Sequence, residues 1–233
     1  MATILLTGAS RGIGAAARTL LEQSGHTVIG QSTAGADGLI AADFAQPRAA
    51  DALWAAALEQ AGGRIDVLVN NAGVFEAAPI DDADGFAATW ARSHAINLQS
   101  AADLCRHAVL HFQANGGGRI INVASRAGHR GDSPQHWHYA AAKGGMLAMT
   151  KSIARGYAAQ NILAFAITPG FTMTGMAEEY LASRGGDKLL ADIPLGRVAM
   201  PEEVAEMIRW LASDAPASMT GATLDINGAS YVR

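Results

Sequence analysis

The sequence predicts an α/β fold: a doubly wound sheet of seven parallel strands with helices on both faces. Short apolar runs of four to seven residues recur along the chain and alternate with longer stretches suited to helices. A strand that returns to the same sheet through a helix must run parallel to its predecessor, and such sheets are covered on both sides. The chain also holds 26 glycines among many alanines, spread without clustering, which suits close helix–sheet packing.

The first strand is placed near 3–7, where TILLT is short and apolar. Gly8, Gly12 and Gly14 then turn the chain into a helix over 12–24, where Ile13 to Gln23 are helix-compatible. Strands follow near 26–30 and 38–42, then a helix near 47–61 and a strand near 66–69. One long helix is expected over 86–113, with Cys105 inside it as a small buried hydrophobe. The β-branched run at 119–124 gives the fifth strand, and 137–159 the next helix. Strands near 162–168 and 222–226 bracket a last helix at 201–213. No linker or repeat interrupts this alternation, so 1–233 reads as one domain.

Composition narrows the function classes. At 24.0 kDa, with 50% hydrophobic and 16% charged residues, the chain can bury a sizeable core. Net charge is −4 with no basic run, which argues against nucleic acid or an anionic membrane as partner. The lone Cys105 can form no internal disulfide. There is no signal peptide and no bilayer-length apolar run, so the expected location is the cytoplasm.

The chemistry-bearing residues lie after the strands. Strand, glycine turn, helix is the layout of an anion site at a helix N-terminus, or simply of a tight connection. Here the spacing is G-x-x-x-G-x-G. Tyr139 and Lys143 in YAAAK share one helix face, and Ser125 ends the strand 14 residues upstream of Tyr139. A free phenol titrates near 10, and an adjacent ammonium favours its charged form. The alternative is a solvated tyrosine–lysine face. Gly8, Asp43, Asn71, Ser125 and Pro169 all follow expected strands, at the end of a parallel sheet where ligands bind.

These motifs together resemble the short-chain dehydrogenase/reductase family. TGASRGIG at 7–14, NNAG at 70–73, Asn97, Ser125, YAAAK and Pro169-Gly170 stand in that family's order over essentially the whole chain. The likeness is to the branch containing bacterial 3-oxoacyl-[acyl-carrier-protein] reductases. It implies a Rossmann-type fold and a nicotinamide cofactor. In the resemblance, Gly8, Ser10, Arg11, Gly12, Ile13 and Gly14 form the pyrophosphate turn. Asn71, Ala72 and Gly73 lie beside the adenosine ribose, and Pro169, Gly170 and Thr172 bracket the nicotinamide. Asp43 matches the acidic residue near the adenine, or else caps a turn. Asn70 reads as a structural tie between strands.

The implied mechanism gives Ser125 and Tyr139 a substrate carbonyl oxygen to bond, with Tyr139 as general acid. Lys143 would lower the Tyr139 pKa and bond the ribose; Asn97 would kink its helix and hold a relay water. A small-molecule carbonyl or alcohol is the expected substrate, with 3-oxoacyl reduction or cofactor sensing without catalysis as alternatives. NADP(H) is expected ahead of NAD(H), because Gln31, Ser32 and Thr33 at the second strand's end carry no charge and Arg11 can meet a phosphate. Ser32 is the strand-end hydroxyl chosen for that contact. A homotetramer is implied, as is a lid over 171–200 containing Gly175, Met176, Tyr180, Leu181, Gly185 and Gly186.

The chain departs from the family at Leu163 and Phe165, where arginine and asparagine are usual, and at Ala229, where glycine is common. The loop RAGHRGDSPQHWH is rich in histidine and arginine. His129, Asp132, His136 and His138 lack ordinary metal-ligand spacing, so no metal is expected. Trp137 and the histidines are expected at a pocket or an interface. Arg126 and Arg130 are placed either on solvated surface or against an anionic substrate.

Overall fold

A computed structural model of the protein describes residues 1–174 and 186–233. Its seven strands are β1 (Thr3–Leu6), β2 (Thr27–Ser32), β3 (Ile40–Ala41), β4 (Val67–Asn70), β5 (Gly118–Val123), β6 (Ile162–Pro169) and β7 (Thr223–Ile226). They form one sheet in the order β3-β2-β1-β4-β5-β6-β7, and every neighbouring pair is parallel. The helices are α1 (Gly12–Gln23), α2 (Ala49–Gln60), α3 (Ala83–His94), α4 (Ser100–Ala114), α5 (Ala127–Arg130), α6 (Trp137–Tyr157), α7 (Gly186–Ala191) and α8 (Pro201–Ser213).

Strand alternation builds two cores. Ile4 and Leu6 point to one face, where they meet Ala17 and Leu21 of α1 and Val204, Ile208 and Leu211 of α8. Leu5 points to the other face, with Leu53 and Trp54 of α2 and Leu104 and Phe112 of α4. Each such aliphatic side chain contributes about 1.5–3 kcal/mol when fully buried. Leu163 and Phe165 join the α1–α8 face. An apolar pair there replaces family residues that are polar, so those departures enlarge the core. The chain winds outward in one direction from β1 and in the other from β4, and a crevice opens between their carboxyl ends.

Two elements differ from the sequence expectation. The third strand is only two residues, because Gly35, Asp37 and Gly38 all take positive φ and turn the chain until Gln31 and Ser32 pair with Ile40 and Ala41. The single helix expected over 86–113 is two α-helices joined by a π-helical turn at Ala95–Gln99. Asn97 lies inside that turn.

Of the expected lid, 175–185 lie outside the described residues. The flanks are stitched together. The Met173 N–H donates to the Ala199 carbonyl at 2.8 Å, and the Ala199 N–H to the Phe171 carbonyl at 3.0 Å. Phe171, Met173 and Leu190 pack on Ile193 and Val198 beneath them. Among the described residues no helix is long and apolar enough to cross a membrane.

Candidate active site

A cavity of about 640 Å³ lies at the carboxyl end of the sheet. Ser125, Tyr139 and Lys143 line it, together with Ile13, Asn71 and Gly73. Pro169, Gly170 and Thr172 close another side. Thus strand-end residues from β4, β5 and β6 and one residue of α1 share a single space. Gly8, Ser10, Arg11, Gly12, Gly14, Ala72 and Asn97 are not among its lining residues, though Gly8 and Gly14 pack on Asn71 and Asn97 on Gly73.

Tyr139 and Lys143 lie one turn apart on α6, with the Lys143 Nζ 5.8 Å from the centre of the Tyr139 ring. Phe75 meets the Tyr139 ring edge-on at 4.9 Å, and His136 stacks on Phe75 at 3.8 Å. The Ser125 Oγ accepts the Ala127 N–H at 3.1 Å and faces Tyr139. Lys143 is buried, and its Nζ donates to the Val123 carbonyl at 2.8 Å. In the ligand-free site burial acts against the phenolate. Burial pushes Tyr139 up to about 12, partly opposed by the Ser125 side chain, while burial pushes Lys143 down to about 8. Tyr139 keeps an edge open to the cavity, but the surrounding protein disfavours its charged form. Desolvation is the first cause of both shifts.

This has a consequence for stability. A lysine whose folded-state pKa falls from 10.5 to about 8 binds its proton less well when folded. The unfolded chain therefore holds more protons between those values, and stability rises with pH across that window. Below pH 8 the penalty is complete, roughly 3 kcal/mol at most. Lys143→Met should accordingly raise the melting temperature of the ligand-free protein at pH 7, with the advantage shrinking as pH climbs toward 10.5. Scanning calorimetry at several pH values checks this; equal or lower stability of the variant at pH 7 refutes it.

Asn97 is fully buried. Its Oδ1 accepts the Val74 N–H at 2.9 Å, and its Nδ2 donates to the Val74 carbonyl at 3.0 Å and the Ser93 Oγ at 2.9 Å. The amide thus ties the π-turn to the segment after β4. Both of its N–H groups are used. A Cβ on Gly73 would stand 2.8 Å from the Asn97 Oδ1 and 3.6 Å from the Lys143 Nζ, so glycine is what lets these parts approach.

The glycine turn is built against the end of β4. Gly8 and Gly12 take φ of 66° and 53°. A Cβ on Gly14 would sit 1.9 Å from the Gly8 carbonyl oxygen. Thr7, not singled out from sequence, and Gln31, expected only as an uncharged strand-end residue, brace the turn. The Thr7 Oγ1 accepts the N–H groups of Asn71 and Ala72, each at 3.0 Å. The Gln31 Oε1 accepts the Gly8 N–H at 2.9 Å. The Asn71 Nδ2 donates to the carbonyls of Thr7 and Gly8 at 3.0 and 3.2 Å. No side chain caps the N-terminus of α1, where Arg11 and Ser10 are exposed. Uncapped N–H groups at the head of a 12-residue helix, reached over glycines that a Cβ would block, fit a pyrophosphate.

Two expected cofactor residues have other partners. The Ser32 hydroxyl is buried and accepts the Gly35 N–H at 3.0 Å, folding the loop after β2. The Asp43 Oδ1 accepts the Ala45 N–H at 3.0 Å, the turn-capping reading. Asn70, as expected, ties strands: its Nδ2 donates to the Asn122 Oδ1 at 2.9 Å. Cys105 is buried beside that pair, its thiol pushed up to about 12 by desolvation.

The histidine-rich loop disperses. His129 stacks on Tyr231 at 5.6 Å, His136 shares a 2.7 Å hydrogen bond with the Ser133 Oγ, and the His138 Nε2 donates to the Glu76 carbonyl at 2.9 Å. Trp137 is half exposed, edge-on to Phe86. Arg126 is buried and lines the cavity, whereas Arg130 stays exposed.

A family model described as "Enoyl-(Acyl carrier protein) reductase" matches residues 8–229. The chain is 39% identical to cis-4-hydroxycyclohexanecarboxylate dehydrogenase of Sinomonas cyclohexanicum, over 96% of this chain and 94% of that protein. It is 35% identical to a 3-oxoacyl-[acyl-carrier-protein] reductase of Vibrio cholerae, over 98% and 96%. With 3beta-hydroxysteroid dehydrogenase 1 of Eggerthella lenta it shares 34% identity, over 97% and 92%.

Proposed function

The chain belongs to the short-chain dehydrogenase/reductase family and is an NAD(P)-dependent oxidoreductase interconverting a carbonyl and an alcohol; from this we propose that Tyr139 is its acid/base and NADP(H) its preferred cofactor. The observation that carries the reading is the meeting of Ser125, Tyr139 and Lys143 in one cavity, beside an uncapped helix N-terminus.

When bound, the nicotinamide supplies or accepts the hydride. The glycine turn from Gly8 to Gly14 and the α1 N–H groups would hold its pyrophosphate. Asn71, Gly73, Pro169, Gly170 and Thr172 would flank the remainder. Ser125 holds the substrate oxygen by hydrogen bonding. Tyr139 gives that oxygen a proton in reduction and takes it back in oxidation. Lys143 would bond the ribose and, in the loaded site, favour the phenolate. Asn97 positions Val74 and shapes the turn through which the proton is resupplied.

The NADP(H) preference rests on the end of β2. Gln31 is committed to Gly8 and Ser32 to Gly35, and no carboxylate is fixed there among the described residues. Thr33 and Arg11 remain exposed to meet a 2′-phosphate. Arg11→Ala should lower kcat/KM for NADPH about tenfold and leave NADH nearly unchanged. Steady-state kinetics with both cofactors checks this, and an unchanged NADPH efficiency would count against the reading.

Identity of 34–39% to a steroid, an alicyclic and an acyl-carrier enzyme alike leaves the substrate to the pocket. The alternative of a 3-oxoacyl substrate has the support of several reductases of that kind at about 35% identity. Assaying carbonyl compounds, alcohols and 3-oxoacyl-CoA thioesters at the reduced-nicotinamide absorbance band decides between them. We also assign the protein to the cytoplasm and to a homotetramer, with 171–200 as a substrate lid. Light scattering at micromolar concentration tests the assembly.

A further inference from the structure

We propose that Arg126 forms a carboxylate subsite, making the substrate a compact oxo- or hydroxy-acid whose anionic group replaces Asp192 against the Arg126 guanidinium. The proposal rests on the oxidoreductase reading above. It starts from a buried charge with weak compensation. The Arg126 side chain is 7% exposed, and a guanidinium carries five N–H donors in a planar fork. Among the described residues its side chain has one anionic contact, Nη1 to the Asp192 Oδ2 at 3.4 Å. Asp192 is half exposed, and the same oxygen takes a shorter bond, 3.1 Å, from the Arg130 Nη1. Asp132 also lines the cavity, but its Oδ1 accepts the Ser133 N–H at 2.7 Å and it makes no ion pair with Arg126. Removing a cation from water is compensated only by good paired geometry, and a long contact to a shared, solvated carboxylate is not that.

The cation is also held where a substrate would meet it. Arg126 directly follows Ser125, and its N–H donates to the Pro169 carbonyl at 3.1 Å, joining β5's end to β6's. Its Cζ stands 5.0 Å from the centre of the Phe171 ring, which limits its swing. Beneath it, α5 presses onto α6 so closely that a Cβ on Gly128 would fall 2.8 Å from the Lys143 backbone. Val74 and Phe75 also line the cavity, with His136 stacked on Phe75. A molecule that sets its carbonyl at Ser125 and Tyr139 therefore presents an apolar body to Phe75 and a second functional group to Arg126. A carboxylate fits that fork bidentately.

The test compares 3-oxocyclohexanecarboxylate and levulinate with their methyl esters. Wild type should favour each acid by roughly ten- to a hundredfold in kcat/KM, the range for a charge-assisted hydrogen-bond pair. Arg126→Gln should bring the acid-to-ester ratio near one. The KM for NADPH should stay unchanged; a rise confined to NADPH would mean that Arg126 serves a cofactor phosphate, overturning the proposal. Asp192→Asn, at a half-exposed position, should raise the acid preference by removing the competing carboxylate. Binding supplies a readout independent of turnover. With NADP⁺ present, calorimetry should show cyclohexanecarboxylate binding at least about tenfold tighter than its amide in wild type, and no such difference in Arg126→Gln. Equal binding of acid and amide by wild type overturns the subsite. Absence of turnover with every carbonyl, beside intact acid binding, would instead overturn the oxidoreductase reading.

Discussion

Tyr139→Phe should abolish nearly all turnover, a fall in kcat of about 10²–10⁴-fold, while cofactor affinity stays within experimental scatter. The substitution removes one oxygen and nothing else. The ring remains edge-on to Phe75, and Lys143 keeps its bond to the Val123 carbonyl. What disappears is the phenol hydroxyl hydrogen-bonded to Ser125, the group proposed to pass a proton to a carbonyl oxygen. Serine alone can hold that oxygen but is a weaker acid than a phenol. Fluorescence titration with the cofactor, alongside steady-state assays, separates binding from chemistry. Retention of most activity by Tyr139→Phe would end the acid/base assignment.

Gly14→Ala should cost the protein about 3 kcal/mol or more and weaken cofactor binding. Helix propensity alone argues the reverse, since alanine is favoured over glycine by about 1 kcal/mol in a helix. The sign is set by space. The new methyl would lie 1.9 Å from the Gly8 carbonyl oxygen and 2.7 Å from the Asn71 Nδ2. Neither can give way, because Asn71 is bonded to Thr7 and Gly8, and Gly8 to Gln31. The turn must open instead. Gly156→Ala is the matched control: it lies in α6, exposed, with nothing within 4 Å of its added carbon. There propensity acts unopposed and should add about 0.5–1 kcal/mol. Thermal unfolding of both variants, with and without NADP⁺, checks the pair. Equal stability of Gly14→Ala and wild type would show that the turn is looser than described.

Much of this was legible in the chain itself. The strand runs, the glycine turn and the i, i+4 pair of Tyr139 and Lys143 are local patterns, and local geometry carries them into three dimensions. Period-two alternation in β1 sent Ile4 and Leu6 to one core and Leu5 to the other. Asn97, a poor helix former amid apolar residues, marked the place where the helix breaks into a π-turn. Other features had no local signature. Ser32 and Asp43 carry side chains suited to cofactor binding or to turns, and only the folded loops show the turn contacts of both. Thr7 looks unremarkable in sequence and Gln31 was noted only for lacking a charge; their bracing role comes from partners just after β4 and β3 and in the glycine turn.

The sequence by itself determined the sheet, the order of its elements and which residues meet at its carboxyl end, because strand and helix periods repeat along the chain and need only near neighbours. Tertiary structure alone decided the electrostatics. Arg126 read first as solvated surface, with an anion contact as the alternative, whereas the fold buries it, and burial, which no local pattern announces, acts on both Tyr139 and Lys143. A charge's energy depends on how much water and how many counter-charges the fold leaves around it. Those neighbours come from segments far apart in the chain, such as Asp192 beside Arg126, so no stretch of sequence contains them.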